Sequence, residues 1–258
     1  MSAGIILSGL PSLLQEQYFA MNHVDSFKIL FMMYSILGLV VMIIYLMISK
    51  DIEIKPNLNN SVRQTLSPRS KKIVGKLSAL FAVDSFAGGF VIQSVVSLWF
   101  FTRFGADLII LSYVFSAAGI LTAFSYIVAA KIADRIGLVN TMVFTHIPSN
   151  ILLILVAFAP TLQFAIILYL IRMGLSQMDV PTRQSYIVSI VNEDERIAAS
   201  GLTNVSRNIA QTVSPSIIGY IFQSFLALSG PFVLGGLIKI VYDLALYLNF
   251  RNIKSRDE

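Results

Sequence analysis

The chain has 258 residues, of which 56% are apolar and 13% charged, with a mean hydropathy of +0.76. A soluble domain carries roughly 25% charged residues, so this sequence cannot cover a water-facing surface. The net charge of +5 resides in Lys and Arg residues between apolar runs, a loop bias that excludes nucleic acid as the partner, and the lack of cysteine excludes disulfides, thiol catalysis and cysteine metal sites.

A bilayer-spanning helix needs about 20 apolar residues, and the sequence offers eight such runs. Ala3–Phe19 is short and contains Pro11; no basic leader opens it, so no cleavable signal is expected. Phe27–Ser49 follows. Lys50–Lys72 is the one long polar stretch, with Pro56, Asn57, Asn59, Asn60 and Pro68, and reads as a linker. Then come Ile73–Phe101, Leu108–Ala130, Thr141–Ala159, Leu162–Val180, Ser200–Leu228 and Pro231–Phe250. Such long runs, apolar on most sides, exclude the alternating strands of a β-barrel, and open backbone is not viable in lipid. The expected fold class is all-α, a polytopic membrane helix bundle of about eight transmembrane helices in a lipid bilayer.

Loop charge sets the expected orientation. Lys50, Lys55, Arg63, Arg69, Lys71, Lys72 and Lys76 cluster in and beside the linker. Alternate loops are also basic: Lys131 and Arg135 in Ala130–Asn140, Arg183 and Arg196 in Pro181–Ala199, and Arg251, Lys254 and Arg256 in the tail. The opposite loops carry Lys28, Arg103 and little else. The positive-inside bias then expects a multi-pass protein of the cell membrane with the linker and both termini cytoplasmic.

Four charges lie at mid-span: Asp84, Arg172, Arg207 and Lys239. Each is about nine residues from a span end, roughly 13 Å deep in a ~30 Å core. On insertion scales such a charge costs about 2.5–3.5 kcal/mol, so each needs a partner, water or a function. Asp84 reads as a proton carrier or cation partner, or as a fixed ion pair with Arg172 or Arg207. Gly88 and Gly89 beside it favour close helix packing. Arg172, Ser176, Asp179 and Arg183 share one helix face, with Gln177 beside them, and Asn204, Arg207, Asn208 and Gln211 form a second stripe. The stripes read either as a water-lined wall with substrate or coupling roles, or as a satisfied interhelical network, with Asp179–Arg183 a structural i,i+4 pair. Lys239 and Asp243, also i,i+4, are expected to neutralise each other. His146 reads as a packing residue or a partner of a backbone group. Trp99 and Phe100, near a span end, fit an interfacial aromatic belt.

No Gly-x-x-x-x-Gly-Lys-Ser/Thr loop occurs, so ATP drive has no support. No His-Glu-x-x-His or Ser-x-x-Lys pattern occurs either. An enzyme is therefore not expected, nor a catalytic residue, cofactor or metal.

Two stretches carry a family resemblance. Ala130-Lys-Ile-Ala-Asp134-Arg135-Ile-Gly137 resembles the cytoplasmic loop motif of the major facilitator superfamily, Gly-x-x-x-Asp-Arg-x-Gly, with Ala130 in place of the leading Gly and Leu138 and Val139 in place of the trailing basic pair. Gln177-Met-Asp179-Val-Pro181-Thr-Arg183-Gln-Ser-Tyr186, then Glu195-Arg196-x-x-Ala199-x-Gly201 with Asn204, Arg207, Pro215 and Gly219, is similar to the tenth helix, loop and eleventh helix of prokaryotic drug-efflux-like members.

The resemblance covers almost the whole chain and implies its organisation. Residues 1–49 would be two transmembrane helices like the fifth and sixth of the family, 50–72 the central cytoplasmic loop, and 73–258 the six-helix C-terminal half. The first four helices, and so a complete N-terminal half, would be missing. The implied function is transport of a small solute by alternating access, with protons as coupling ion and efflux as direction. The rival is a non-transporting subunit that assembles with another membrane protein. The mostly positive mid-span charge hints at an anionic or zwitterionic solute. Asp134, Arg135, Gly137, Glu195 and Arg196 would form a gate latch, with Asp134 accepting from a helix N-terminus or from Arg196.

Overall fold

The computed structural model describes residues 23–48, 66–222 and 227–253; the run Ala3–Phe19 lies outside them. The described residues form helices and no strand. In chain order they are α1 (His23–Met47), α2 (Pro68–Gly89), α3 (Gln93–Phe104), α4 (Leu108–Ile136), α5 (Leu138–Ala157), α6 (Leu162–Ser176), α7 (Asp179–Ser189), α8 (Arg196–Val213), α9 (Pro215–Phe222) and α10 (Gly230–Phe250), with short 3-10 turns at Glu193–Glu195 and Ala227–Ser229. Six segments among the described residues are long and apolar enough to cross a bilayer: Val24–Met47, Pro68–Phe104, Leu108–Ile136, Leu138–Ala157, Leu162–Ser189 and Gly230–Phe250. The protein is an all-α, polytopic membrane bundle.

Two units partition the chain. The first comprises residues 1–63 with 107–116. Its α1 is largely apolar, with Phe31, Tyr34, Leu37 and Ile44 exposed, and opens on an Asp25–Lys28 pair of 2.8 Å. Asp107 starts α4 by accepting from the Ile110 N–H at 2.8 Å.

The second unit, residues 64–106 and 117–258, holds the candidate site. Within it α2 packs on α8 and α10, and α5 packs on α6, α7 and α10. One apolar cluster joins Leu77, Phe81, Met142, Tyr186, Leu246 and Phe250. Another joins Phe90, Val95, Ile218 and Ile221. Trp99 is fully buried against Phe100, Phe104 and Phe232, with ring centroids 5.0–5.3 Å away. The belt expected of Trp99 and Phe100 is thus corrected: both rings fill the unit's interior.

Three expected spans differ in detail. Ile73–Phe101 divides into α2 and α3, because Gly88 and Gly89 weaken the helix and a turn takes over. There Phe90 and Val91 donate back to Ala87 and Gly88 at 3.2 and 3.1 Å. Leu162–Val180 continues as α7 to Ser189, so Arg183 is 3% exposed inside a span rather than in a loop. Pro181 does not stop the helix, since the first turn has no intrahelical acceptor for its missing N–H. Ser200–Leu228 starts at Arg196, breaks at Ser214, and is not among the six membrane-length segments. Pro215 has no N–H for the Gln211 carbonyl, which accepts from the Ser214 hydroxyl at 3.1 Å instead. The two breaks meet: a Cβ on Gly89 would lie 1.6 Å from Ser214 Oγ and 3.0 Å from the Gln211 carbonyl. Only glycine lets α2 and α8 approach this closely.

Candidate functional site

The breaks in α2 and α8 lie beside a cavity of about 310 Å³ inside the second unit, also lined from α5, α6, α7 and α10. Of the expected substrate or coupling residues, Asp84, Arg172, Gln177, Asp179 and Arg207 line it. Asn204 does not; it is exposed on α8. Arg183, on the expected polar stripe but read as a structural partner of Asp179, lines the same cavity, as do His146, read as a packing residue, and Lys239, expected to pair with Asp243.

Burial forces the charges into pairs. Asp84, 5% exposed, accepts from Lys239 Nζ at 2.5 Å. Its other carboxylate oxygen faces Arg183 Nη1 at 3.6 Å. That guanidinium also holds Asp179 Oδ2 at 2.7 Å, the expected i,i+4 pair, and stacks 5.4 Å from the Phe81 ring centre. The partners of Asp84 are therefore Lys239 and Arg183, not Arg172 or Arg207. The expected Lys239–Asp243 pairing is corrected too. From adjacent turns of α10, Lys239 reaches α2 while Asp243 reaches α5, where His146 Nδ1 lies 2.8 Å from Oδ1 and Asn150 Nδ2 donates to Oδ2 at 2.9 Å. His146 is thus bonded to a carboxylate rather than to backbone.

The other two cations are differently placed. Arg207 Nε donates to Ser85 Oγ at 3.0 Å. Arg172 is 7% exposed; its Nη1 meets Met173 Sδ at 3.2 Å, and its Nε has no partner among the described residues. Neither guanidinium is within salt-bridge distance of a described carboxylate. Both border the cavity, so a ligand with acceptor oxygens would satisfy them.

The expected latch residues separate. Gly137, at φ 86°, breaks the chain between α4 and α5 in a conformation that favours glycine. Asp134 and Arg135 are exposed in the last turn of α4. Arg196 pairs instead with Glu193 at 3.9 Å and donates to the Val188 carbonyl at 3.2 Å, so no Asp134–Arg196 contact forms. Nor does Asp134 accept from a helix N-terminus among the described residues.

Glu195 makes the bridge. Its carboxylate accepts from the Ser67 N–H at 2.5 Å and the Ser70 hydroxyl at 2.6 Å, both at the start of α2. Asn192 adds a backbone N–H at 3.2 Å and a side-chain N–H at 3.0 Å. A carboxylate at a helix N-terminus is favoured by the orphan N–H groups and the dipole. These bonds, the Ser70 hydroxyl first and the Ser67 N–H next, hold the Glu195 carboxyl down at about 2 against an ordinary 4.5.

The sign follows. The folded value lies below the unfolded one, so the contact stabilises above about pH 4.5 and fades as pH falls from there towards 2. Glu195→Ala is expected to cost about 2 kcal/mol at pH 7, the scale of charge-assisted hydrogen bonds. The difference from wild type should shrink steadily between pH 4.5 and pH 2. Denaturant unfolding in detergent micelles at several pH values measures it; a pH-independent difference would contradict this role.

Comparison with known proteins supplies a frame. The sequence profile of the Major Facilitator Superfamily matches residues 2–215 and, in an overlapping second alignment, 85–257. Over 284 aligned positions the chain is 24% identical to the Uncharacterized membrane protein YJR124C of Saccharomyces cerevisiae, an alignment covering 98% of this chain and 63% of the yeast protein. The chain therefore spans less than two thirds of the relative's length.

Proposed function

This chain belongs to the major facilitator superfamily, and from that premise we propose that it binds a small anionic or zwitterionic solute and moves it across the membrane by alternating access. One observation carries the choice of solute: Arg172 and Arg207 border the cavity without a carboxylate partner, while every other cation there is paired. Interrupted helices beside a buried site are the usual binding architecture of secondary transporters, and the α2/α3 and α8/α9 breaks fit it. A cavity of this size suits a small molecule.

The rest of the proposal follows the family. Residues 73–258 would form the C-terminal half, 50–72 the central cytoplasmic loop and 1–49 two further spans, with an N-terminal half completing the solute path. Protons would drive the flux. Drug-like efflux as in the prokaryotic members fits less well, because two unpaired cations repel cationic compounds. Glu195, bridging two helix starts, would act as the gate latch, with Asp134, Arg135 and Arg196 flanking it.

Reconstitution into liposomes tests this. Labelled succinate or inorganic phosphate is expected to accumulate under a pH gradient, and the cation tetraphenylphosphonium is not. Arg172→Gln and Arg207→Gln should each reduce anion uptake about ten-fold or more, the loss of one charge-assisted contact. Preferential uptake of the cation would sink the anion reading.

A second reading, a non-transporting subunit that assembles with another membrane protein, is favoured by the exposed Asn204 and Asn208 on α8. Lipid cannot satisfy such amides, whereas a neighbouring helix can. Co-purification of a stoichiometric partner together with absence of flux would select it.

A further inference from the structure

The imidazole of His146 is bonded at one nitrogen and open at the other. Asp243 Oδ1 lies 2.8 Å from Nδ1, and Asn150 occupies the second oxygen of that carboxylate at 2.9 Å. Asn150 Nδ2 also lies 3.3 Å from Nδ1, but the carboxylate contact is the shorter, and an ionised carboxylate only accepts, so we assign the hydrogen to Nδ1, which donates it. Nε2 then holds the free lone pair. It lies 4.0 Å from Asp84 Oδ1, and His146 lines the cavity.

The surrounding charges define what a proton there would do. From α2 comes Asp84, and from α7 come Asp179 and Arg183. From α10 come Lys239 and Asp243, with the Tyr242 ring edge-on at 6.1 Å. From α6, Arg172 and Tyr169 face the cavity. The groups in direct ionic contact are three carboxylates, Asp84, Asp179 and Asp243, against two permanent cations, Lys239 and Arg183. The uncompensated negative charge falls on Asp243, which has no permanent cation in contact. Protonation of His146 gives Asp243 the cation it lacks, the pairing that low-polarity surroundings favour, while Arg172 and Arg207 leave the cavity as a whole positive until an anion enters. Asp84, by contrast, already faces two cations.

We propose that His146, oriented by Asp243, takes up and releases the coupling proton, and that Asp84 serves as a fixed counter-ion to Lys239 and Arg183. The proposal rests on the transport reading. The step is one proton: it passes from cavity water to the Nε2 lone pair, forming an N–H bond, and returns to water when the cavity opens to the other side. The Nδ1–H bond is not broken. An anion seated at Arg172 and Arg207 adds negative charge to the same cavity and favours the protonated ring. Proton and anion therefore bind together and travel together.

The chain has two histidines, so His23→Gln leaves His146 as the sole imidazole. With ¹⁵N-labelled histidine, this full-length variant in nanodiscs of phosphatidylcholine and phosphatidylglycerol is expected to show Nδ1 protonated throughout and Nε2 titrating between pH 5 and 9. Asp243→Asn should shift the midpoint by one pH unit or more. An Nε2 fixed in one state over this range, or a midpoint indifferent to Asp243→Asn, overturns the proposal.

In liposomes, His146→Asn should cut succinate uptake driven by a pH gradient at least ten-fold, and the succinate exchange that remains at equal pH should lose its dependence on pH. The double variant His146→Asn/Asp243→Asn, which strands no carboxylate, should behave alike and guards against misfolding. Gradient-driven uptake that survives in both also overturns the proposal. Absence of wild-type flux with the titration intact would instead defeat the transport reading, and the coupling role with it.

Discussion

Lys239→Met is expected to destabilise the protein by about 3 kcal/mol, because it strands the Asp84 carboxylate in a buried site. Removing one partner of a buried ion pair costs about 3–5 kcal/mol, most of it the penalty of the uncompensated charge left behind. The lower end applies because Arg183, 3.6 Å from Asp84, still offsets part of that charge. Asp84→Asn/Lys239→Met removes both charges and should recover most of the loss, since replacing a whole buried pair is often nearly neutral. Denaturant unfolding in micelles measures both. Trp99 is the one tryptophan of the chain and is buried, so its emission reports unfolding directly. If the double variant were as unstable as the single, the stranded-charge argument would fail.

Gly236→Ala should cost about 1–3 kcal/mol, as over-packing of a close-packed interior does. A Cβ there would lie 2.5 Å from Ile154 Cγ1 and 3.0 Å from the Asn150 carbonyl. The Ile154 atom is too near its own backbone to swing clear, and the carbonyl cannot yield without moving α5. The helix that carries Asp243 would be pushed away from the one that carries His146 and Asn150. Adding Ile154→Ala should restore part of the stability. Gly88→Ala is the contrast: its Cβ would meet nothing closer than Lys239 Nζ at 3.7 Å, and the unfolding midpoint should stay within error of wild type. Equal losses for Gly88→Ala and Gly236→Ala would refute the steric account.

The bundle was legible in the sequence because lipid as solvent leaves a composition signature that no folding detail can disguise. The depth of Asp84, Arg172, Arg207 and Lys239 was legible for the same reason. Their partners were not. The i,i+4 rule reads one helix at a time, and it paired Lys239 with Asp243. In the bundle the small angular offset between those positions directs one to α2 and the other to α5. A signal was present in α5: Thr145 and His146 stand one turn from Ser149 and Asn150 at mid-helix, a short polar face seeking a partner. Arg183 fell in the loop expected from Pro181 onward, although proline is at ease in a first helical turn and the helix runs on through it. Glu195 was recognised through its motif, but its partners Ser67 and Ser70 lie 128 and 125 residues away, beyond any local rule.

The Asp84–Lys239 contact joins residues 155 positions apart, and that separation has a consequence for biosynthesis. A ribosome delivers Asp84 to the membrane well before Arg183, and Arg183 well before Lys239. Until then the carboxylate must stay hydrated or protonated, because an ionised group alone at mid-bilayer is costly. The first helices of this unit therefore cannot settle at their final depth when they emerge. Their seating waits for the last helix, and a nascent chain halted before α10 would leave a mid-span carboxylate without its Lys239 partner for membrane quality control to detect.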